Sequence, residues 1–283
     1  MERKNYEDLT FTDSFMFNKV MLDKVICKEV LSLLLGHDVG PLEDIRQEEA
    51  IQATAGSKPI RLDIFTKDDD GYYDAEMQNK NNRSIEALAL PLRSRYYQSM
   101  IDIEALDKNC NFRELKDSNI IFICTFDPFG LGLPVYTFKS LCEEDTSFCL
   151  GDGYTKYFFN VTANVKSIPD SLKAFFKYVT TKETTDKLTD MIEAAVESCR
   201  NDDKWRSEYM RINMIELDAR EEGREEGRAE EYAKTAAAIA ERDAALAERD
   251  IATAELDTAT AELDAATAEI KRLQEELAKY KKN

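Results

Sequence analysis

Residues 59–80 constrain the fold most strongly, because two alternating apolar patterns flank an Asp-Gly pair. The alternating positions are Ile60, Leu62 and Ile64 before the pair, and Tyr73, Ala75 and Met77 after it. A period of two is what a pleated strand produces, and an Asp-Gly pair favours the tight turn of a β-hairpin. The sequence therefore predicts two antiparallel strands with Asp70-Gly71 as a two-residue loop.

The register of this predicted hairpin brings polar side chains together. Counting outward from the loop pairs Asp69 with Tyr72 and places Asp63 opposite Gln78. One face then carries both apolar sets, and the other carries Asp63, Glu76, Gln78 and Lys80. A slip by one residue would separate the apolar sets, so the pattern selects this register. Asp63 and Glu76 become diagonal neighbours about 7–8 Å apart, and both can reach one divalent cation.

The remaining pattern up to residue 219 predicts an α/β sheet flanked by helices. Strands are predicted over 43–52, Asn119–Phe126, Leu133–Leu141 and Tyr154–Val161. The run from Asn119 is continuously apolar, which is typical of a buried central strand. A helical region is predicted over 10–36, in which a second stretch runs from Asp23 to Leu35 and Gly36 caps it. Further helices are predicted from Ser84 to Leu106, from Pro169, and from Glu183 to Leu217. Pro91 either bends the helix from Ser84 or marks a break in it.

The composition changes at Arg220, where a tail over residues 220–283 begins. Its first part repeats Glu-Glu-Gly-Arg over 221–228, and each glycine costs a helix about 1 kcal/mol relative to alanine, so 220–238 is interpreted as a hinge and the start of a helix. A seven-residue repeat follows over 239–283. Leucine or isoleucine stands at 256, 263, 270 and 277, and Ala259, Ala266, Leu273 and Tyr280 follow three residues later. This a/d seam predicts a coiled coil that forms a homo-oligomer; the alternative is a solitary helix rich in Ala and Glu.

The charge of the chain limits its partners. The net charge is −18, and the tail contributes −6 from 17 acidic and 11 basic residues, which leaves −12 for the domain over 1–219. Tight, indiscriminate binding of nucleic acid usually requires a basic patch, so an acidic domain argues against it.

The cysteines indicate an intracellular protein. The six cysteines form no Cys-x-x-Cys pair, and His37 is the only histidine, which argues against a structural zinc site. They lie mostly in apolar runs, as reduced core cysteines do. The sequence contains no signal-peptide pattern and no run of about 18 apolar residues. We therefore expect a soluble, cytoplasmic protein without membrane contact.

The polar face of the hairpin suits metal-assisted hydrolysis of a phosphodiester. That chemistry needs acidic ligands on adjacent rigid backbone and a group that orients the attacking water. Asp63 and Glu76 would supply the ligands, the Met77 carbonyl a third, and Gln78 would hold the water or a phosphate oxygen. A single carboxylate on a strand is typical of a solvated face, but this pair, flanked by apolar residues and followed by Gln78, favours a metal site.

These residues resemble the PD-(D/E)XK nuclease core, in which Asp ends one strand and Glu-x-Lys lies on the next. Here Gln78 stands at the lysine position, and Leu62 precedes the aspartate where that core has proline. Asp in an apolar strand, then an acidic turn with glycine, then Glu-x-Gln is similar to the recombination-promoting nuclease/putative transposase family of bacteria. Three other stretches resemble that family, over about residues 10–230: Asp13-Ser-Phe-Met-Phe-Asn-Lys-Val, the helix with Arg95-Tyr96-Tyr97, and the Glu-Gly-Arg repeats.

The resemblance implies a PD-(D/E)XK-like mixed sheet flanked by helices, and DNA cleavage dependent on Mg²⁺ or Mn²⁺, with roles in recombination or phage defence. It carries over Asp63, Glu76 and Gln78 as active-site positions, with Asp63 and Glu76 as metal ligands. Many nucleases of this fold also have an acid on the first core helix, for which Glu29 is the candidate. Lys80 either replaces the missing lysine or ends the strand in solvent.

The basic residues and the function each leave two interpretations. Arg93 and Arg95 either contact phosphates or form ion pairs with the many acids of the chain. The expected function is a metal-dependent DNA endonuclease that oligomerises through its tail. The glutamine at the lysine position and the acidic domain favour the alternative, a catalytically degenerate nuclease fold that serves as an interaction or regulatory module. A transposase that joins strands would need the same metal site.

Overall fold

The computed structural model describes residues 4–52, 56, 58–79, 89–106 and 109–280. The chain divides into two compact units, Met1–Arg211 and Ile212–Asn283. The N-terminal unit is a mixed α/β domain in which helices flank a six-stranded sheet. The expectation of a mixed central sheet with flanking helices, followed by a long C-terminal helix, is confirmed.

The sheet contains both parallel and antiparallel pairs. Its strands are β1 (Arg46–Ile51), β2 (Ile60–Lys67), β3 (Gly71–Gln78), β4 (Asp117–Cys124), β5 (Val135–Phe138) and β6 (Tyr154–Asn160), in the order β1-β2-β3-β4-β6-β5. β3, β4 and β6 are parallel, and the other neighbouring pairs are antiparallel. The predicted central strand from Asn119 is confirmed as β4, which has parallel neighbours on both sides and is buried from Ile120 to Cys124.

The described α-helices range from 8 to 78 residues in length. They are α1 (Ser14–Met21), α2 (Lys24–Leu35), α3 (Leu90–Ala105), α4 (Asp170–Thr181), α5 (Lys187–Arg200) and α6 (Asp203–Tyr280). The Asp23 side chain caps α2 by accepting from the backbone N–H groups of Val25 and Ile26, and Gly36, with φ of 77°, ends it. Pro91 lies in the first turn of α3, so it begins that helix and does not bend it. Residues 80–88, where the predicted helix from Ser84 would begin, lie outside the described residues.

The sheet separates two apolar clusters, because alternate residues of a strand point to opposite faces. The first cluster joins Ile121 and Ile123 of β4 to buried residues of α1, α2, α4 and α5. The second joins Ile120 and Phe122 of β4 to the buried side of α3. The connection β3–α3–β4 links parallel neighbours, and it places α3 over the second cluster.

The hairpin register differs from the predicted one by two residues. The predicted pairing of Asp69 with Tyr72 is wrong, since Tyr72 pairs with Lys67 and Ala75 pairs with Ile64. A shift by an even number of residues leaves each side chain on its face and changes only its partner. The alternating pattern therefore predicts the faces of β3 but cannot distinguish these two registers.

The local reason for the shifted register is Asp68. Its Oδ1 accepts from the backbone N–H groups of Asp70 and Gly71, both at 2.9 Å, while its own N–H donates to the Gly71 carbonyl at 3.0 Å. The loop is therefore Asp69-Asp70, closed by an aspartate side chain. Gly71 is needed for a different reason, because a Cβ there would lie 2.7 Å from the Asp117 carbonyl oxygen on β4.

The regular pleat of β2 is interrupted at Asp63. The prediction that Ile60, Leu62 and Ile64 share one face is wrong, because Ile64 belongs to the first apolar cluster and the other two belong to the second. On β1, Glu48 lies across from Asp63, and its φ of 51° is in the left-handed region that residues other than glycine seldom adopt. The irregular backbone at this point reverses the faces of β2.

The described part of the C-terminal unit is entirely helical and is part of α6, which runs without a break from Asp203 to Tyr280. Gly223 and Gly227 are both helical, and the boundary between the two units falls at Arg211 and Ile212, before the predicted hinge. Among the described helices, none combines the length and the apolar character needed to cross a membrane.

Candidate functional site

Asp63 on β2 and Glu76 on β3 lie opposite each other, and their carboxylates take over hydrogen bonds that a regular ladder would make. The Asp63 backbone N–H donates to Glu76 Oε1 at 3.0 Å, and the Met77 backbone N–H donates to Asp63 Oδ2 at 3.2 Å. The regular pairing of the two strands stops one residue earlier, at Ile64 and Ala75. The two carboxylates are therefore direct cross-strand neighbours, closer than the predicted diagonal, and the backbone of the opposite strand fixes each of them.

Arg93 of α3 completes this arrangement. Its Nη2 donates to Glu76 Oε2 at 2.9 Å and to the Tyr97 hydroxyl at 2.9 Å, and its Nη1 donates to Gln78 Oε1 at 3.2 Å. Gln78 Nε2 also donates to Glu76 Oε2, at 3.2 Å. Of the two interpretations of Arg93, the structure therefore contains the ion pair. The Glu76 side chain is 2% exposed and that of Arg93 is 25% exposed, so the pair reaches solvent through the guanidinium.

The sequence brings Arg93 to the sheet through the β3–α3–β4 connection. Arg93 and Tyr97 are one turn apart on α3, and residues with that spacing share a helix face. The guanidinium carbon lies 5.2 Å from the centre of the Tyr97 ring and 5.7 Å from that of Phe122 on β4. Aromatic rings thus hold the guanidinium in place while its edge faces the carboxylates.

Asp74 is a third carboxylate near this site. It lies two residues before Glu76 on β3, and it is fully buried. Neither of its carboxylate oxygens has a hydrogen-bond partner among the described residues. Burying a polar group without a partner costs about 1–3 kcal/mol. Sequence reasoning missed Asp74, although the period of two places it on the same face as Glu76 and Gln78.

The three carboxylates, Asp63, Asp74 and Glu76, are here called the carboxylate cluster. Burial raises the pKa of Asp63 to about 6. Burial, together with the negative charges of Asp63 and Asp74, raises the pKa of Glu76 well above its usual range. Burial and the charge of Asp63 do the same to the pKa of Asp74. Arg93 opposes each of these shifts but does not cancel them. The cluster therefore favours taking up positive charge, either as protons or as a cation.

Three other predicted positions lie away from this pair or outside the described chain. Glu29 is exposed on α2, a helix of the first apolar cluster, and the structure does not bring it to the carboxylates. It lines a shallow surface depression together with Gly36, His37, Ser171 and Asp186. Arg95 is exposed on α3 and lies near Lys156, whose pKa is lowered by burial and by the charge of Arg95. Lys80 is outside the described residues.

The oxygen atoms at the site fit a hard divalent cation. In the described part of the chain, no three His, Cys, Asp or Glu side chains are arranged to hold a metal ion by themselves. Asp63, Glu76 and the Met77 carbonyl would offer two carboxylates and one backbone oxygen. Mg²⁺ is usually bound by one or two carboxylates, with water and substrate phosphate as its other ligands. The residues therefore suit Mg²⁺ or Mn²⁺ shared with a substrate.

No protein-family model, no curated protein and no solved structure matches this chain. The residues of the site and their geometry are therefore the basis for assigning a function.

Proposed function

We propose that the N-terminal unit is a DNA endonuclease with a PD-(D/E)XK-like core, which hydrolyses phosphodiester bonds with the help of Mg²⁺ or Mn²⁺. The reciprocal pairing of Asp63 and Glu76 across β2 and β3 carries this proposal. Two carboxylates fixed by backbone where two strands separate form a rigid set of oxygen ligands. Glu76 lies two residues before the end of β3 and is buried, whereas its partner Arg93, in the first turn of α3, is 25% exposed, so substrate would approach the carboxylates from the side of Arg93.

Asp63 and Glu76 would hold the divalent cation, with the Met77 carbonyl beside them. When bound, such a cation polarises the scissile phosphate and lowers the pKa of a bound water. The raised pKa values of both carboxyls suit this role, because the positive charge of a cation replaces the protons that the buried carboxyls would otherwise retain. Gln78 would orient the attacking water through its amide.

Arg93 would supply the positive charge that lysine gives in the PD-(D/E)XK pattern. It contacts Gln78, the residue at the lysine position, and its guanidinium remains partly exposed. A guanidinium is planar, can donate to two phosphate oxygens at once and always carries its charge. In this role Arg93 would stabilise the negative charge that develops on the phosphate during hydrolysis.

The acidic character of the domain sets a limit on how DNA is bound. Residues 1–219 carry a net charge of −12. DNA and a negative surface repel each other, so we expect weak binding that depends on divalent cations. Recognition would then rest on the site itself and on oligomerisation more than on a broad basic surface.

The second candidate function is a catalytically degenerate module that serves in interaction or regulation. The ion pair between Arg93 and Glu76 favours it, because Glu76 already has a positive partner without a metal ion. The two functions differ in one measurable property, since the nuclease must bind a divalent cation at Asp63 and Glu76, whereas the module need not bind one.

The test is the nicking of supercoiled plasmid by the purified full chain in Mg²⁺ and in Mn²⁺. We expect nicking by the wild type and a loss of about a thousandfold in Glu76→Gln, because a metal ion contributes several kcal/mol of charge stabilisation. The amide keeps the shape of the side chain and can still accept from the Asp63 N–H. Glu29→Gln is the matched control and should nick like the wild type.

Two results would contradict the nuclease. One is nicking at the same rate in Glu76→Gln and in the wild type, which would assign the activity to a contaminant or another site. The other is the absence of any heat of binding when Mn²⁺ is titrated into the wild type, combined with no nicking. That second result would favour the degenerate module.

A further inference from the structure

The C-terminal helix carries an apolar stripe that is exposed in the described part of the chain. Leu256, Leu263, Ile270 and Leu277 recur every seven residues on α6, and they are between 57% and 67% exposed. In heptad notation these are a positions, and the d positions three residues later are Ala259, Ala266 and Leu273. A seam of this kind is stable in water when another helix covers it.

The residues that flank the seam indicate whether a second, identical helix would pair with it in the parallel or the antiparallel direction. The g positions, directly before each a position, are glutamate throughout: Glu241, Glu248, Glu255, Glu262, Glu269 and Glu276. The e positions, directly after each d position, have no charge: Ile239, Leu246, Thr253, Thr260, Thr267 and Gln274. One flank of the seam is therefore uniformly acidic, and the other is neutral.

This asymmetry distinguishes the two directions in which identical helices can pair. In a parallel pair, each g residue faces an e residue of the partner, so glutamate meets threonine, glutamine or an aliphatic side chain. In an antiparallel pair, g faces g and e faces e, and two rows of glutamate would repel each other along the coil. The pattern therefore opposes the antiparallel arrangement and permits the parallel one.

The threonines of the neutral flank can be covered without losing hydrogen bonds to water. The hydroxyl groups of Thr260 and Thr267 donate to the carbonyls of Leu256 and Leu263, one turn earlier, at 2.7 and 2.8 Å. Because these hydroxyls have partners within their own helix, packing against a second helix leaves no donor unpaired. Small d residues such as Ala266 also allow two helices to approach closely.

The apolar part of the seam begins near Ala252. The two preceding a positions are Arg242 and Arg249, and each side chain pairs with the aspartate that follows it, at 2.7 Å to Asp243 and 2.9 Å to Asp250. These ion pairs reduce the repulsion between like charges at that end of a parallel pair. They add little to association, since exposed ion pairs are weak.

We propose that residues 252–277 pair with the same residues of a second copy of this chain in a parallel, in-register coiled coil. Both N-terminal units then join the coil at the same end. This arrangement does not depend on whether the N-terminal unit cleaves DNA, and it can be tested without measuring activity.

Single cysteines at d positions test the direction of pairing. In a parallel, in-register pair, a d residue faces its own copy at a distance that a disulfide can span. We expect Ala252→Cys and Leu273→Cys of the full chain, each oxidised alone, to form disulfide-linked dimers well above the wild-type level. Ala261→Cys, at an f position on the outer side of the same helix, should not exceed the wild type, which also contains the native cysteines.

Two cross-linking results would overturn the proposal. A disulfide that forms only when Ala252→Cys and Leu273→Cys are mixed would show antiparallel pairing, since these positions lie at opposite ends of the seam. The absence of cross-links above the wild-type level in both variants and in their mixture would show that the seam is not covered by a second copy.

A mass measurement tests the number of chains independently. Light scattering on the full chain should give twice the monomer mass of 32.4 kDa. Leu263→Asp with Ile270→Asp should give the monomer mass, while the matched outer-face pair Ala261→Asp with Ala268→Asp, which adds the same charge, should remain a dimer. A wild-type mass of one chain, or of three or more, would contradict the proposal.

Discussion

The two faces of the sheet are both buried, but they bury different chemistry. On the face that carries the first apolar cluster, residues such as Phe17, Leu31 and Phe175 are fully buried among other apolar side chains. On the other face, α3 covers the carboxylate cluster and Arg93 together with aromatic rings. The first face supplies stability through apolar burial, whereas the second retains charges whose burial opposes stability.

This contrast makes the face with the buried carboxylates the place to look for function. A protein gains stability when buried, poorly paired carboxylates are replaced by apolar groups. Residues that break the rules of packing are expected mainly at functional sites. Asp74, buried without a hydrogen bond two residues from Glu76, breaks those rules most clearly.

Replacement of Arg93 should separate catalysis from cation binding. For Arg93→Gln, which removes the charge, we expect nicking to fall about a hundredfold, the usual loss for one donor that stabilises developing charge. Mn²⁺ affinity should rise, because Arg93 pairs with Glu76 and would compete with a cation for that carboxylate. Plasmid nicking and calorimetric Mn²⁺ titration measure the two effects. Arg95→Gln, on the exposed side of the same helix, is the control and should change neither.

Two outcomes would count against this role of Arg93. Equal losses of nicking in the Arg93 and Arg95 variants would indicate a general effect of positive charge on α3. A fall in Mn²⁺ affinity together with nicking would mean that Arg93 supports the cation and does not compete with it.

Replacement of Asp74 should stabilise the N-terminal unit. Burial and the charge of Asp63 raise the pKa of Asp74 well above its usual range, and Asp74→Asn removes this carboxyl. A carboxyl with a raised folded-state pKa binds protons more tightly when folded, so its contribution to stability is lost as pH rises from about 4, its unfolded pKa, toward that higher folded value. At neutral pH we therefore expect a gain of about 1–3 kcal/mol in the free energy of unfolding.

Denaturant unfolding at pH 5 and pH 8 measures this gain and its sign. The wild type should be less stable at pH 8 than Asp74→Asn, and the difference should shrink at pH 5. Ile192→Val on the opposite face is the comparison: it should lower stability by about 0.5–1.5 kcal/mol equally at both pH values. A pH-independent gain in Asp74→Asn would show that the buried charge is not its cause.

The strands of the site could be predicted from the sequence because their signals are local. Alternation predicts β2 and β3, a continuous apolar run predicts β4, and a seven-residue repeat predicts the C-terminal helix. The predicted turn is wrong because Asp70-Gly71 is a strong local signal, while the actual constraint on Gly71 is its close approach to Asp117, a residue 46 positions away. The capture of two N–H groups by Asp68 then fixes the register.

The chemistry at the site depends on contacts that no local pattern encodes. Leu62 and Ile64 lie on opposite faces although they are two residues apart, and the irregular backbone of Glu48 lies across from the residue between them. The partner of Glu76 is Arg93, which reaches it only because the β3–α3–β4 connection folds α3 over the sheet. The sequence offers many acids to Arg93, and the three-dimensional path of the chain selects among them.

The affinity of the site for a divalent cation should rise with pH, and this is the smallest effect we expect. The folded-state pKa of Asp63 is about 6, and that of Glu76 is raised further above its usual range, so protons and cations compete for the same oxygens. Below pH 6, each proton that must be displaced lowers the affinity about tenfold per pH unit. Calorimetric Mn²⁺ titrations of the wild type at pH 5 and pH 6, in two buffers with different heats of ionisation, measure both the affinity and the protons released. Among the described residues, neither the first apolar cluster nor the exposed acids offer carboxyls that are both buried and paired across strands. No proton release, or equal affinity at both pH values, would therefore mean that Mn²⁺ binds away from Asp63 and Glu76.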